Sequence, residues 1–214
     1  MGEFEGTVFV VEDDPRVRES LRWLLESLDL KVETYASADD FLESYEEQGP
    51  GCLIVDVWMP GMTGLQLQEE LSGRGIDLPM VVLTGQGDVE IAVQAMKAGA
   101  EDFFQKPFRR QQLLAAVQQC LAKSRKRFRV RQRELELHGR LESLTPRERQ
   151  VLDGIAEGLT SKMIARRLDI SPRTVDVYRA SLKRKFQAGS AVQLIEVLAS
   201  IRRMRDRSAL SKNT

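Results

Sequence analysis

Apolar residues recur along the first 122 residues in two alternating textures. Short runs are apolar at nearly every position, as in Leu53-Ile54-Val55 and Met80-Val81-Val82-Leu83. Strands covered on both faces have this character. Strands are therefore predicted at Thr7–Val11, Lys31–Tyr35, 52–56, Met80–Thr84 and Asp102–Gln105. Between them the apolar positions return every three or four residues, which predicts helices near 15–28, 64–72, 88–98 and 108–122. In the first of these the apolar positions are Val17, Leu21, Leu24 and Leu28. Ser37 is placed to cap a further helix, with Asp40 three residues on as its acidic partner. Strand and helix alternating five times in about 120 residues predict an α/β doubly wound five-stranded parallel sheet.

The second half carries no convincing strand pattern. Thr145-Pro146-Arg147-Glu148 has the form of a capping box with proline at the first helical position, opening a helix to about Gly158. Thr160 can cap a second helix at 161–168, and Ser171-Pro172 opens a third to about 186. A fourth is predicted at about 190–203, giving an all-α four-helix domain over 143–208 and a flexible tail at 209–214. Between the halves, residues 109–142 contain no proline and no glycine before Gly139. They predict one continuous helix on the order of 50 Å long, of which 123–142 would be a linker. Leu114, Leu121, Phe128 and Leu135 repeat every seven residues there, but only Val117 fits the companion seam. The segment is either a paired helix or a solvated linker.

Charge sharpens this division. The net charge is zero, yet residues 1–108 carry seven Lys/Arg against 22 Asp/Glu. Residues 109–144 carry ten against three, and residues 145–214 carry 15 against seven. An acidic module is thus joined to one suited to a polyanion. Two cysteines, Cys52 and Cys120, form neither a disulfide framework nor a metal-ligand spacing, and read as free thiols on a buried strand and a helix. No stretch has the roughly 20 unbroken apolar residues of a membrane span. Acids stand near the N-terminus where a signal peptide carries basic residues, so a soluble cytoplasmic protein is expected.

In doubly wound sheets, chemistry gathers at the carboxyl ends of the strands. Here those ends are Glu12-Asp13-Asp14, Asp56, Thr84 and Lys106-Pro107. Clustered carboxylates repel one another unless a cation joins them. An oxygen-only donor set favours a hard ion such as Mg²⁺. An Asp with an ammonium and a hydroxyl aimed at the same point can act as a nucleophile toward phosphorus. Asp14, followed by Pro15, reads better as a helix cap.

The segments V-V-E-D-D-P, L-I-V-D-V-W-M-P-G-M-T-G, V-V-L-T-G-Q-G-D and F-F-Q-K-P-F, taken in order, resemble the receiver domain of two-component systems across residues 6–122. The resemblance implies a CheY-like receiver, bounded here as residues 1–122. It makes Asp56 the phosphoacceptor, with Lys106 and Thr84 on the phosphoryl group. Asp13 and Asp56 would ligate Mg²⁺ directly, Glu12 through water, and Trp58 through its backbone carbonyl. It also implies a cis-like turn at Lys106-Pro107 and a switch pair of Thr84 and Phe103. Glu12 stands where many receivers have Asp, and Phe103 lacks the phenol of the more usual Tyr, so a switch there would work by packing.

Helices 161–168 and 172–186, joined by Asp169-Ile170-Ser171, have helix-turn-helix proportions. Ile164, Ala165 and Leu168, with Val175, Leu182 and Phe186, would face inward. The opposite stripe offers Arg173, Asp176, Val177, Ala180 and Arg184 to a major groove, with Thr174 beside it. Lys162, Arg166, Arg179, Lys183 and Lys185 are placed as phosphate contacts. The segment from L-T-P-R-E-R-Q to R-A-S-L-K-R-K-F resembles the LuxR-type helix-turn-helix over about 142–206, and S-P-R-T-V-D-V-Y-R-A points to the FixJ branch of the FixJ/NarL family. Many other members carry Lys where this chain has Asp176.

Together the two resemblances imply a response regulator and not an enzyme of turnover. A sensor histidine kinase would phosphorylate Asp56. A homodimer would then form and bind double-stranded DNA to control, more often activate, transcription through RNA polymerase. Two other activities fit the residues less well. A phosphotransferase of the haloacid-dehalogenase type needs a second Asp two residues after its nucleophile, and position 58 is Trp. A pseudo-receiver that dimerises without phosphate sits poorly with Asp13, Asp56, Thr84 and Lys106 all present.

Overall fold

The computed structural model describes residues 6–85, 89–188 and 193. They form two compact units that divide between Arg129 and Val130. In the first, β1 (Thr7–Val11), β2 (Lys31–Tyr35), β3 (Gly51–Asp56), β4 (Met80–Thr84) and β5 (Asp102–Gln105) make one sheet in the order β2-β1-β3-β4-β5. All neighbouring pairs are parallel. The intervening helices are α1 (Pro15–Glu26), α2 (Ala38–Ser44), α3 (Gly64–Gly73) and α4 (Val89–Lys97), and α5 (Arg110–Glu142) follows.

Strand periodicity of two sorts the apolar side chains into separate cores on the two faces. Phe9 and Val11, Leu53 and Val55, and Met80 and Val82 pack with Phe41 of α2, Leu67 of α3 and Ile91 of α4. Their neighbours Val8 and Val10, Cys52 and Ile54, and Val81 and Leu83 pack with Leu21 and Leu25 of α1 and Leu113 and Val117 of α5. Both cysteines are buried free thiols on that second face.

The boundaries differ from the sequence reading in a few places, each for a local reason. Helix α1 stops at Glu26 rather than near 28, because the chain reverses through Asp29 at φ 57. Strand β3 begins at Gly51, whose N–H donates to Ser124 Oγ at 2.9 Å. Helix α5 runs unbroken through the predicted linker. Its residues just beyond 122 hold to the first unit: Lys123 pairs with Glu101, and Arg127 with Asp77. Leu121 is fully buried in the core on the second face of the sheet and Leu114 packs against that core, so two positions of the seven-residue repeat are already occupied within the chain.

The second unit contains α6 (Pro146–Ala156), α7 (Ser161–Leu168) and α8 (Pro172–Lys185). Thr145 caps α6 through a complete capping box with Glu148. Ser171 caps α8, accepting from the Thr174 N–H. Asp169 ends α7 in the left-handed conformation, φ 52, which turns the chain sharply into α8. Val151, Leu152, Ile155, Ile164, Val175, Leu182 and Phe186 form the core, while Leu168 is only partly buried against it. The fourth helix predicted at about 190–203 lies outside the described residues, apart from Gln193. Among the described residues no helix is long and apolar enough to cross a membrane.

Candidate functional site

The strand order places the acidic residues side by side. Strand β1 lies between β2 and β3, so the chain leaves it on one side and returns on the other, opening a crevice at the carboxyl ends. Val11 pairs with Val55, which sets Glu12 level with Asp56. Asp56 in turn pairs with Leu83, one residue short of Thr84. One carboxylate oxygen from each of Glu12, Asp13 and Asp56 lies within 4.8 Å of the other two. Glu12 and Asp56 are buried at 1% and 6% exposure, whereas Asp13 is exposed.

Lys106 closes the site from β5. Its Nζ lies 2.6 Å from Glu12 Oε2 and 3.3 Å from Asp56 Oδ2. The Lys106–Pro107 peptide is cis, and the Lys106 N–H donates to the Thr84 carbonyl at 2.7 Å. Thr84 is fully buried. Burial pushes the Asp56 carboxyl above its ordinary value; Lys106 pulls it back and the Asp13 charge pushes it further up. Glu12 is raised for the same leading reason, against the Lys106 hydrogen bond and with the Asp56 charge. One lysine thus partly offsets three crowded acids.

Asp56 Oδ1 is buried and has no hydrogen-bond partner. A buried oxygen in that state lacks its usual compensation. With three carboxylates converging and only oxygen donors, the residues present fit a hard divalent cation better than a soft one. Trp58 lies two residues past Asp56 with its ring half exposed. Phe103 pairs with Val82 and is half buried against the core that includes Ile91 and Ala95 of α4.

Two supports of the site have no mark in the sequence. Arg18 of α1 donates through one guanidinium nitrogen to the carbonyls of Glu12 at 2.6 Å and Asp13 at 3.1 Å. It thereby fixes the backbone that carries both acids. Asp14 is the cap expected of it, accepting from the Arg16 N–H at 2.8 Å. Gly64, the first residue of α3, touches the backbone of Asp56. A Cβ there would stand 2.3 Å from the Asp56 carbonyl oxygen. Neither atom is at the end of a flexible side chain, so the backbone itself must move. Gly64→Ala is expected to destabilise the first unit by about 2 kcal/mol and to slow any reaction at Asp56. Thermal unfolding and labelling that match wild type would refute this tight contact.

The basic unit presents a second surface. Arg173, Asp176, Val177, Ala180 and Arg184 are all exposed along α8, as their spacing predicted, and Lys162 and Arg166 are exposed on α7. Arg179, Lys183 and Thr174 are half buried. The Thr174 hydroxyl shares a hydrogen bond with the Ser171 hydroxyl at 2.8 Å, so it is engaged at the cap of α8. Lys185 is a correction. It is not turned outward to meet a phosphate but lies 2.7 Å from Glu148 Oε2, and it donates to the Ser143 carbonyl at 3.0 Å. A buried carboxylate of α6 claims it.

Comparison with known proteins agrees with both halves. The family model of the response regulator receiver domain matches residues 8–118, and that of the bacterial regulatory proteins of the luxR family matches residues 142–198. The transcriptional regulatory protein FixJ of Azorhizobium caulinodans is 45% identical over 190 residues, covering 89% of this chain and 90% of its own. FixJ of Bradyrhizobium diazoefficiens is 38% identical over 193 residues, 90% of this chain and 94% of that one. Among solved structures, the response regulator StyR superposes with TM-score 0.84 at 42% identity, covering 91% of this chain and 98% of its own. Full-length FixJ from B. japonicum gives 0.55 at 38% identity, covering 91% and 96%.

Proposed function

The chain belongs to the two-component response regulators that join a receiver to a LuxR-type DNA-binding domain, and on that basis we propose that Asp56 is its phosphoacceptor. The single observation that carries this reading is the buried Asp56 carboxylate, held by Lys106 on one oxygen and left unpartnered on the other beside Asp13 and Glu12. The receiver occupies residues 1–122, the linker helix 123–142 and the DNA-binding domain 143–208, with a tail at 209–214.

The Asp56 carboxylate attacks the phosphorus of a phosphohistidine on a sensor histidine kinase. An O–P bond forms at Asp56, the N–P bond breaks, and the imidazole leaves with its electron pair. Lys106 shifts from the carboxylates to the new phosphoryl oxygens, which gather the charge. The Thr84 hydroxyl donates to one of them. Asp13 and Asp56 directly, Glu12 through water and the Trp58 carbonyl would hold Mg²⁺, which would supply neutralisation of charge on the transferring group. Phe103 repacks against α4 as Thr84 moves inward.

The altered face of α4, β5 and α5 then pairs with a second receiver. Two tethered helix-turn-helix domains bind adjacent half-sites far better than one, through effective concentration. Lys162, Arg166, Arg179 and Lys183 serve the phosphates, and the exposed stripe of α8, with Thr174 at its edge, faces the bases. The output is control of transcription in the cytoplasm, by activation through contact with RNA polymerase.

Beryllofluoride with Mg²⁺ tests the cycle as a phosphate mimic. The dimer fraction and the affinity for a selected operator, at fixed salt, are both expected to rise tenfold or more, a shift of about 1.4 kcal/mol. If neither changes in wild type, the phosphate switch is wrong.

A further inference from the structure

An acid in the middle of a surface that meets phosphates calls for an explanation. Asp176 is exposed on α8 among Arg173, Val177, Ala180 and Arg184. Facing a polyanion, a carboxylate is repelled unless it meets a donor there. The side chain is also held in place from outside its own helix. Asp176 Oδ1 accepts from the Ser161 hydroxyl of α7 at 2.9 Å, and that hydroxyl accepts from an Arg179 guanidinium nitrogen at 3.0 Å. A serine hydroxyl has one proton and two lone pairs. Here the proton is directed to Asp176 and a lone pair takes the guanidinium, so the chain of donors runs from Arg179 through Ser161 to Asp176. Arg179 and Ser161 are half buried. They fix one carboxylate oxygen, while the group as a whole, an acceptor with about four lone-pair sites, keeps capacity on an exposed face.

Major-groove chemistry narrows what that capacity fits. Only adenine and cytosine present an amino donor there. Adenine sets its N7 acceptor beside the donor, which opposes a carboxylate. Cytosine offers its N4 amino group without such an acceptor. We infer that Asp176 reads a cytosine in each operator half-site, with Ser161 and Arg179 as the positioning residues that hold its carboxylate for the task. This rests on the DNA-binding reading above and adds the base.

Full-length protein with beryllofluoride and Mg²⁺ is first used to select fragments from random DNA. Enrichment of no motif would sink the DNA-binding reading itself. Given a motif, affinities are measured by fluorescence anisotropy at fixed salt for all four bases at each position. Wild type is expected to favour cytosine about tenfold at one position of each half-site. Asp176→Ala should flatten that position to near equality and leave the others unchanged. Asp176→Asn should move the preference toward adenine, whose donor and acceptor both match an amide. Ser161→Ala should reduce the cytosine preference about threefold, whatever uniform change the release of Arg179 makes to the affinity for all sequences. Thermal unfolding of each variant checks that the domain remains folded. Three outcomes overturn the inference. In one, the Asp176 variants keep the wild-type preference at every position. In another, Asp176→Ala binds all sequences more tightly with no change in preference, making the acid an electrostatic brake. In the third, Ser161→Ala weakens all sequences equally and leaves the cytosine preference intact, making the hydroxyl a brace between α7 and α8.

Discussion

Asp56→Asn is expected to abolish labelling by acetyl phosphate, with incorporation at least about 100-fold below wild type, because an amide offers phosphorus no anionic oxygen. The substitution keeps size and shape at a residue only 6% exposed. Its effect on stability should run opposite to its effect on chemistry. Burial raises the Asp56 carboxyl, so the folded chain holds this proton more tightly than the unfolded one. Such a group opposes folding increasingly as pH rises past its unfolded value. At neutral pH and without divalent cations, Asp56→Asn should therefore unfold at the same or a higher temperature. Mass spectrometry of the labelled protein decides the first point and calorimetry the second. Persistent labelling would mean that another residue is the acceptor. A lowered unfolding temperature would mean that the Lys106 contact outweighs the cost of burial.

The second large effect concerns stability rather than chemistry. Glu148 is 5% exposed and gathers four donors. Its Oε2 accepts from the Thr145 N–H at 2.9 Å, the Thr145 hydroxyl at 3.1 Å and Lys185 at 2.7 Å, and its Oε1 from the Ser181 hydroxyl at 2.8 Å. One side chain thus caps α6 and ties it to α8. Glu148→Ala takes the acceptor from the Thr145 N–H at the start of α6 and from half-buried Lys185, which keeps only the Ser143 carbonyl, at a cost of about 3 kcal/mol. For a domain of this size that lowers the unfolding temperature by roughly 12–24 °C. A drop under about 4 °C would show that the network contributes little. Lys185, with help from Thr145 and Ser181 and against burial, brings the Glu148 carboxyl down to about 2. Its folded value lies below its unfolded one, so its contribution is complete above about pH 4.5 and is lost as pH falls toward 2. Glu148→Gln should flatten that part of the acid stability curve for the second unit.

These two sites differ in how far they could be read from the chain. Asp56, Asp13, Thr84 and Lys106 were legible because each closes an apolar run, and strand ends in a parallel sheet meet at one edge. The Thr145 box was legible because a cap and its partner lie three residues apart. The tie from Glu148 to Lys185 spans 37 residues, and no local pattern marks it. Lys185 sits at the end of a basic stripe and reads as one more phosphate contact until the packing of α6 on α8 is known. Arg18 looks like any solvated helix arginine, yet it secures two backbone carbonyls of the acidic loop. Ser161 looks like a first-turn residue, yet it holds Asp176 from 15 residues away.

What the amino-acid order determined alone was the kind and sequence of elements, the faces they bury, the caps that start them and the residue types at the strand ends. Those follow from periodicity and from chemistry between near neighbours. Tertiary structure alone decided which groups touch: Lys106 between Asp56 and Glu12, the latter 94 residues away, Gly64 against the Asp56 carbonyl, Lys185 drawn inward to Glu148. The reason is physical. An ion pair or a close backbone approach depends on strand register and helix packing to within about an ångström, and both are set by the whole core rather than by the residues that happen to touch.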